Sequence, residues 1–192
     1  MMKLISLLWI FLLFAVTAEA QVQVLISYHS ESGNTRMMAE FVANGARSVD
    51  GVVVHLKTTE ETTEKDLINA DAIILGSPVY NANVTPEISR FIASWPFEGA
   101  PLKDKIGAAF VTAGGISAGE ELVQMNILQS MLVFGMIIVG GLDWTHPFGA
   151  SAITAEGPFE VGNKIGIDQT FLERARDLGE RVAEITLKLE KD

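Results

Sequence analysis

Six consecutive residues, Ser30-Glu31-Ser32-Gly33-Asn34-Thr35, have the make-up of an anion cradle. They follow a near-continuous apolar run, Val22 to Ser27. They precede a stretch in which Met37, Met38, Phe41, Val42 and Ala46 recur at helical spacing. A strand-to-helix junction leaves backbone N–H groups unpaired and aims the positive end of the helix dipole outward. The hydroxyls of Ser30, Ser32 and Thr35 can donate to phosphate oxygens, and Gly33 lets the backbone come close. The loop lacks the Lys of G-x-x-x-x-G-K-[ST], which argues against nucleotide triphosphate hydrolysis. It is not G-x-G-x-x-G, which weakens a dinucleotide fingerprint. A neutral cradle for one terminal phosphate remains.

The elements that must hold this cradle alternate along the chain. Strands are expected at Val22–Ser27, Val52–Leu56, Ala72–Gly76, Ile106–Val111 and Met136–Val139. Helices are expected at Asn34–Arg47, near Thr63–Asn69, at Pro86–Ala93 with Pro86 in the first turn, and at Glu120–Phe134. Residues 140–167 are rich in Gly and Pro and read as one long loop, which in a compact domain is usually functional. A last helix carries Phe171, Ala175, Leu178, Val182, Ile185 and Leu189 at three-four spacing, with Thr170 and Glu173 placed for a capping box. Five strands alternating with helices imply one parallel sheet covered on both faces, an α/β fold. Ligands of such sheets bind at the carboxyl ends of the strands.

Composition narrows the chemistry further. The 192 residues suit one domain, here residues 21–192, and 48% hydrophobic residues suffice for a core. No cysteine is present, so there is no thiolate nucleophile and no Cys-held metal. A net charge of −10 argues against a nucleic-acid partner. No carboxylate pair, Ser-His-Asp order or His-rich spacing stands out, and no metal site is expected. The acids Glu60, Glu61, Glu64 and Asp66 read as a solvated surface, and Trp95-Pro96-Phe97 as packing. Residues 1–20 combine Lys3, an apolar run from Leu4 to Val16 and Ala18-Glu19-Ala20, the pattern of a cleaved secretory signal peptide. The run is shorter than the ~20 residues of a membrane span, so no stable anchor is expected after cleavage. The expected location is therefore periplasmic or secreted; the alternatives for the segment are an uncleaved anchor or a buried first strand, and without a signal the expected location is the cytoplasm. The mean hydropathy of +0.30 comes partly from this segment.

Ser-x-Ser-Gly-Asn-Thr after the first strand resembles the FMN phosphate loop of flavodoxins. Over most of residues 21–192 the chain is similar to the flavodoxin-like NAD(P)H:quinone oxidoreductases of the tryptophan-repressor-binding-protein (WrbA) type. Val42-Ala43-Asn44-Gly45-Ala46 with Val49-Asp50-Gly51 resembles that family's first helix and turn. Gly76-Ser77-Pro78-Val79-Tyr80-Asn81-Ala82-Asn83-Val84 resembles its second flavin loop, and Pro147 to Ile153 its last loop. The resemblance implies a flavodoxin-like sheet of five strands in the order 2-1-3-4-5. It implies FMN held by Ser30, Glu31, Ser32, Gly33, Asn34 and Thr35, by Pro78, Val79, Tyr80, Asn81, Ala82, Asn83 and Val84, and by Thr112, Ala113, Gly114, Gly115 and Ile116. Tyr80 offers an aromatic face, and the backbone from Asn81 to Val84 can meet the ring's polar edge.

Of the histidines, His55 sits in a strand and reads as structural. His29 precedes the cradle and is placed either against phosphate or in packing. His146, beside Trp144 and Pro147, is the candidate catalytic residue, orienting a hydride acceptor or donating a proton. Two departures from the family stand out. Phe134 holds the place where an active-site His commonly precedes Gly-Met, and the segment Lys57–Asp66 lacks an insertion associated with tetramers, which favours a homodimer or other small homo-oligomer. The implied activity is FMN-dependent oxidation of NAD(P)H with reduction of a quinone or similar acceptor. The alternatives are a flavodoxin-type carrier passing electrons to a protein partner, and a flavin-binding module without turnover.

Overall fold

In the first strand, β1 (Val22–Tyr28), Val24 and Ile26 face one layer of helices and Leu25 faces the other, all of them buried. That two-sided burial is why the run is apolar at nearly every position instead of alternating. The computed structural model describes residues 21–159 and 166–190. The export segment read at residues 1–20 lies outside the described residues. After β1 come α1 (Asn34–Arg47), β2 (Val52–Thr58), α2 (Glu64–Asn69), β3 (Ala72–Pro78), α3 (Pro86–Ala93), β4 (Ile106–Ala113), α4 (Glu120–Val133), β5 (Ile137–Ile138), β6 (Ala150–Ile153) and α5 (Gln169–Glu190).

The sheet is parallel, in the order β2-β1-β3-β4-β5, with β6 also pairing with β4. The expected strand order is present, but the sheet has six strands, and the expected 140–167 loop is divided. The strand expected at Met136–Val139 shrinks to Ile137–Ile138 against Ile106 and Gly107 of β4. The chain then leaves the edge and rejoins it as β6, where Ala150–Ile153 pair with Phe110–Ala113. Gly149 makes the return possible. It has φ 128°, and a Cβ there would lie 2.0 Å from the Ala109 carbonyl oxygen. Strand β3 runs on to Pro78 and β4 to Ala113, so Pro78, Thr112 and Ala113 end strands and do not sit in loops. The Thr170–Glu173 capping box gives way to Asp168, whose carboxylate accepts the Thr170 N–H at 2.9 Å.

Helices α1 and α5 cover one face of the sheet, and α2, α3 and α4 lie on the other. The first pair meets backbone to backbone. A Cβ on Gly45 would lie 1.8 Å from the Arg176 carbonyl oxygen, and one on Gly179 would lie 1.9 Å from that of Val42. Each helix thus gives up helix propensity, about 1 kcal/mol for Gly against Ala, to let the other approach. On the opposite face, Thr63 caps α2 in a capping box with Asp66. The Lys57 ammonium at 2.7 Å, with the Thr63 hydroxyl and N–H, holds the Asp66 carboxyl down to about 2.

Gly179→Ala gains helix propensity but drives a methyl group into a carbonyl that cannot move. Net destabilisation of at least about 2 kcal/mol is expected, read as a lower urea midpoint at unchanged slope. The Asp66 cluster has the opposite dependence from a raised group. Its stabilisation is complete above the ordinary Asp value of about 4 and is lost as pH falls through about 2. Asp66→Asn should flatten the acid limb of a melting-temperature profile between those pH values.

Candidate functional site

Strands β1, β3 and β4 are neighbours, so the loops after their carboxyl ends converge on one edge of the sheet. Thr35, in the first turn of α1, is buried, and its hydroxyl lies 2.8 Å from that of Thr112, near the end of β4. Val79 N–H donates to the Thr112 carbonyl at 2.8 Å. Thr112 therefore ties both the first and the second loop to β4.

In the first loop, the Ser30 hydroxyl accepts from the N–H groups of Gly33 and Arg36, each at 3.2 Å. Gly33 takes the left-handed φ of 92° at the N-cap, where it offers no side chain, so the cap of α1 is limited to Ser30 on the Arg36 N–H. The Asn34 side-chain oxygen is buried without a hydrogen-bond partner. A helix start with no capping side chain at Gly33, beside hydroxyls and one unsatisfied amide oxygen, is the arrangement a phosphate-and-polyol ligand completes.

The second loop is a tight turn. Tyr80 and Asn83 exchange backbone hydrogen bonds at 3.0 Å, while Asn81 and Ala82 adopt φ of 52° and 60°. The Asn83 amide donates to the Asn81 carbonyl at 2.8 Å. Positive φ at a residue with a Cβ is costly and collects at functional sites. The turn is braced from α4, since a Cβ on Gly119 would come 2.5 Å from that of Ala82. Tyr80 stays 40% exposed at the mouth of the site. Its hydroxyl donates to Glu31 of the first loop at 2.7 Å, a bond that raises the phenol above its ordinary value.

In the third loop, Gly114 faces open space. The Ile116 N–H donates to a Glu156 carboxylate oxygen at 2.7 Å, and the Ser117 N–H donates to Glu120 at 3.3 Å. Glu156 and Gly119 were not singled out from the sequence. The partners of both lie across long sequence separations, and only the positive φ demanded at Gly119 had a local signal.

The structure thus gathers Ser30–Thr35, Pro78–Val84 and Thr112–Ile116 at one place. His146 belongs to none of these three loops and sits in the excursion between Val139, bonded to Gly107, and Gly149, against Ala109. Its ring is engaged within that excursion, accepting the Leu142 N–H at 3.3 Å and meeting the Thr145 hydroxyl at 2.9 Å. Among the described residues, no hydrogen bond links its side chain to the three loops. His29 turns away from the cradle toward Glu60, at 3.2 Å, and Glu87, at 3.8 Å. His55 joins β2 to β1 through Gln23 at 2.8 Å. Phe134 ends α4 just ahead of β5 and packs on Trp95 and Phe97.

Known proteins resemble this chain in sequence and in fold. Residues 20–150 match the family model described as NADPH-dependent FMN reductase. A flavodoxin of Aquifex aeolicus is 34% identical over 84% of this chain and 85% of its own. A protein of Azorhizobium caulinodans named NAD(P)H dehydrogenase (quinone) is 31% identical over 87% of this chain and 98% of its own. The crystal structure of a WrbA-like flavodoxin from Agrobacterium tumefaciens superposes with a TM-score of 0.69 at 24% identity, covering 88% and 99% of the two chains, and shows the same fold.

Thr35→Val should cost about 1–3 kcal/mol because it strands the buried Thr112 hydroxyl. The double variant with Thr112→Val should recover part of that loss in a denaturation cycle. Gly119→Ala should destabilise the fold by a further about 1–3 kcal/mol, since neither its φ nor the Ala82 contact admits a methyl group.

Proposed function

The chain belongs to the family of NADPH-dependent FMN reductases, and from that membership we propose that it is an FMN-dependent oxidoreductase. It takes electrons from NAD(P)H and delivers them to quinones or similar acceptors. The observation that carries this reading is the convergence, on one edge of the sheet, of the α1 start at Gly33, the buried unsatisfied Asn34 side-chain oxygen and the exposed Tyr80 ring.

The residues fit the cofactor. Ser32 and the first-turn N–H groups of α1, that of Thr35 among them, suit its phosphate without a cationic side chain. The Asn34 amide suits a ribityl hydroxyl, and the Tyr80 ring with the backbone of Asn81–Val84 suits the isoalloxazine. Bound FMN supplies acceptance of two electrons from a nicotinamide and their release to an acceptor. The chain's own work is positional. Gly114 keeps one side of the site free of side chains, Glu156 and Glu120 hold the third loop by its N–H groups, and Gly119 braces the second.

A second reading, a carrier passing electrons to a protein, is favoured by the relatives named flavodoxin and by the acids Glu31 and Glu87 near Tyr80. Such acids would speed encounter with a basic partner. Residues 1–20 support export, and the short β2–α2 connection supports a small homo-oligomer.

The test is titration of purified protein with FMN, followed by steady-state turnover with NADH and benzoquinone. Saturable turnover that vanishes without FMN is expected. FMN uptake without turnover selects the carrier, and no uptake of FMN refutes both readings. Amino-terminal sequencing of the protein from its native compartment should find Gln21 first.

A further inference from the structure

We propose that Glu31 is a positioning residue for Tyr80: its carboxylate latches the aromatic platform of the second loop to the phosphate cradle, so that the two ends of the cofactor site are set as one piece. The latch rests on the FMN reading above and adds to it a role for a residue that the cradle alone does not explain. A carboxylate beside a phosphate site is electrostatically unfavourable for the bound anion. Glu31 is exposed in that loop, and the nearest cation along the chain, Arg36, is engaged by Glu40 at 3.2 Å. What Glu31 does hold is the Tyr80 hydroxyl, at 2.7 Å, across 49 positions of sequence. The phenol O–H draws that carboxylate toward the ring loop and disperses its charge.

Tyr80 is fixed at both ends. Its backbone N–H and carbonyl are both bonded to Asn83, at the foot of the turn held at positive φ through Asn81 and Ala82. A tyrosine has only two side-chain torsions, so a fixed backbone and a fixed hydroxyl together leave one ring orientation. The ring is then presented ready-made, and the ordering that binding would otherwise require is already done. Without the latch the ring, 40% exposed, has no other hydrogen bond to direct it.

The test compares FMN binding and the visible absorption of the bound flavin in the whole chain and in Glu31→Ala, Glu31→Gln and Tyr80→Phe. The flavin band reports ring stacking, which a change in fold stability alone does not move. Tyr80→Phe should weaken FMN by roughly fivefold, the loss of one partly exposed charge-assisted hydrogen bond. Glu31→Ala should shift the flavin band in the same sense as Tyr80→Phe, while Glu31→Gln, whose amide oxygen still accepts, should restore the original band. A second readout needs no cofactor. The chain has two tyrosines, so in a Tyr28→Phe background the phenol titration at 295 nm belongs to Tyr80. Removing Glu31 should lower its midpoint. Flavin bands in Glu31→Ala and Tyr80→Phe identical to the original, or a phenol midpoint unmoved by loss of Glu31, would overturn the latch. No FMN uptake by the unaltered chain overturns the functional reading along with it, so the two failures are distinguishable.

Discussion

The hydroxyl pair of Thr35 and Thr112 fixes where α1 begins relative to the sheet. Thr35 belongs to the first turn of a helix on one face, and Thr112 to the end of β4, with β3 between β1 and β4 in the sheet. Both hydroxyls are buried, so neither can exchange its partner for water, and separation leaves two unsatisfied groups. The helix start is thereby held level with the strand ends. The same Thr112 takes the Val79 N–H through its carbonyl, so the phosphate end and the ring end of the site share one anchor.

Behind that anchor, α1 is held down by α5. The contacts at Gly45 and Gly179 bring backbone against backbone, where side chains would otherwise hold the helices farther apart. The last helix is therefore part of the apparatus that positions the first loop, although it carries no residue of the site. This division of labour is common in α/β folds, where rigid elements set loops that do the binding.

The sequence displayed the parts of the fold whose cause is local. Runs such as Ala72–Leu75 and Ile106–Val111 are apolar at nearly every position because both faces of the sheet are covered, and they were readable for that reason. The cradle was readable because hydroxyls and Gly33 stand at a strand-to-helix junction. The division of the 140–167 stretch was not readable. Strand β6 is only Ala-Ser-Ala-Ile, and its place depends on the Ala109 carbonyl accommodating Gly149. Glu156 reads as one more loop acid until Ile116 is seen to donate to it. The local partners of His146, the Leu142 N–H and the Thr145 hydroxyl, are arranged by a loop closure that spacing does not reveal. The cap at Asp168 is masked in the sequence by Thr170 and Glu173, which fit the box pattern two residues later.

The broken edge of the sheet has a consequence for how the protein behaves at high concentration. A parallel sheet of this kind ends in a strand whose outer N–H and carbonyl groups are unpaired, and a long flat one recruits a strand from another molecule. Here that border consists of Ile137–Ile138, an outward excursion carrying Trp144 at 87% exposure, and only then Ala150–Ile153. An incoming strand meets two rungs, an obstruction and four rungs, never a continuous ladder. The interruption costs the sheet some pairing and in return deprives aggregation of a template at this edge, leaving β2, at the opposite edge, as the longer unpaired border.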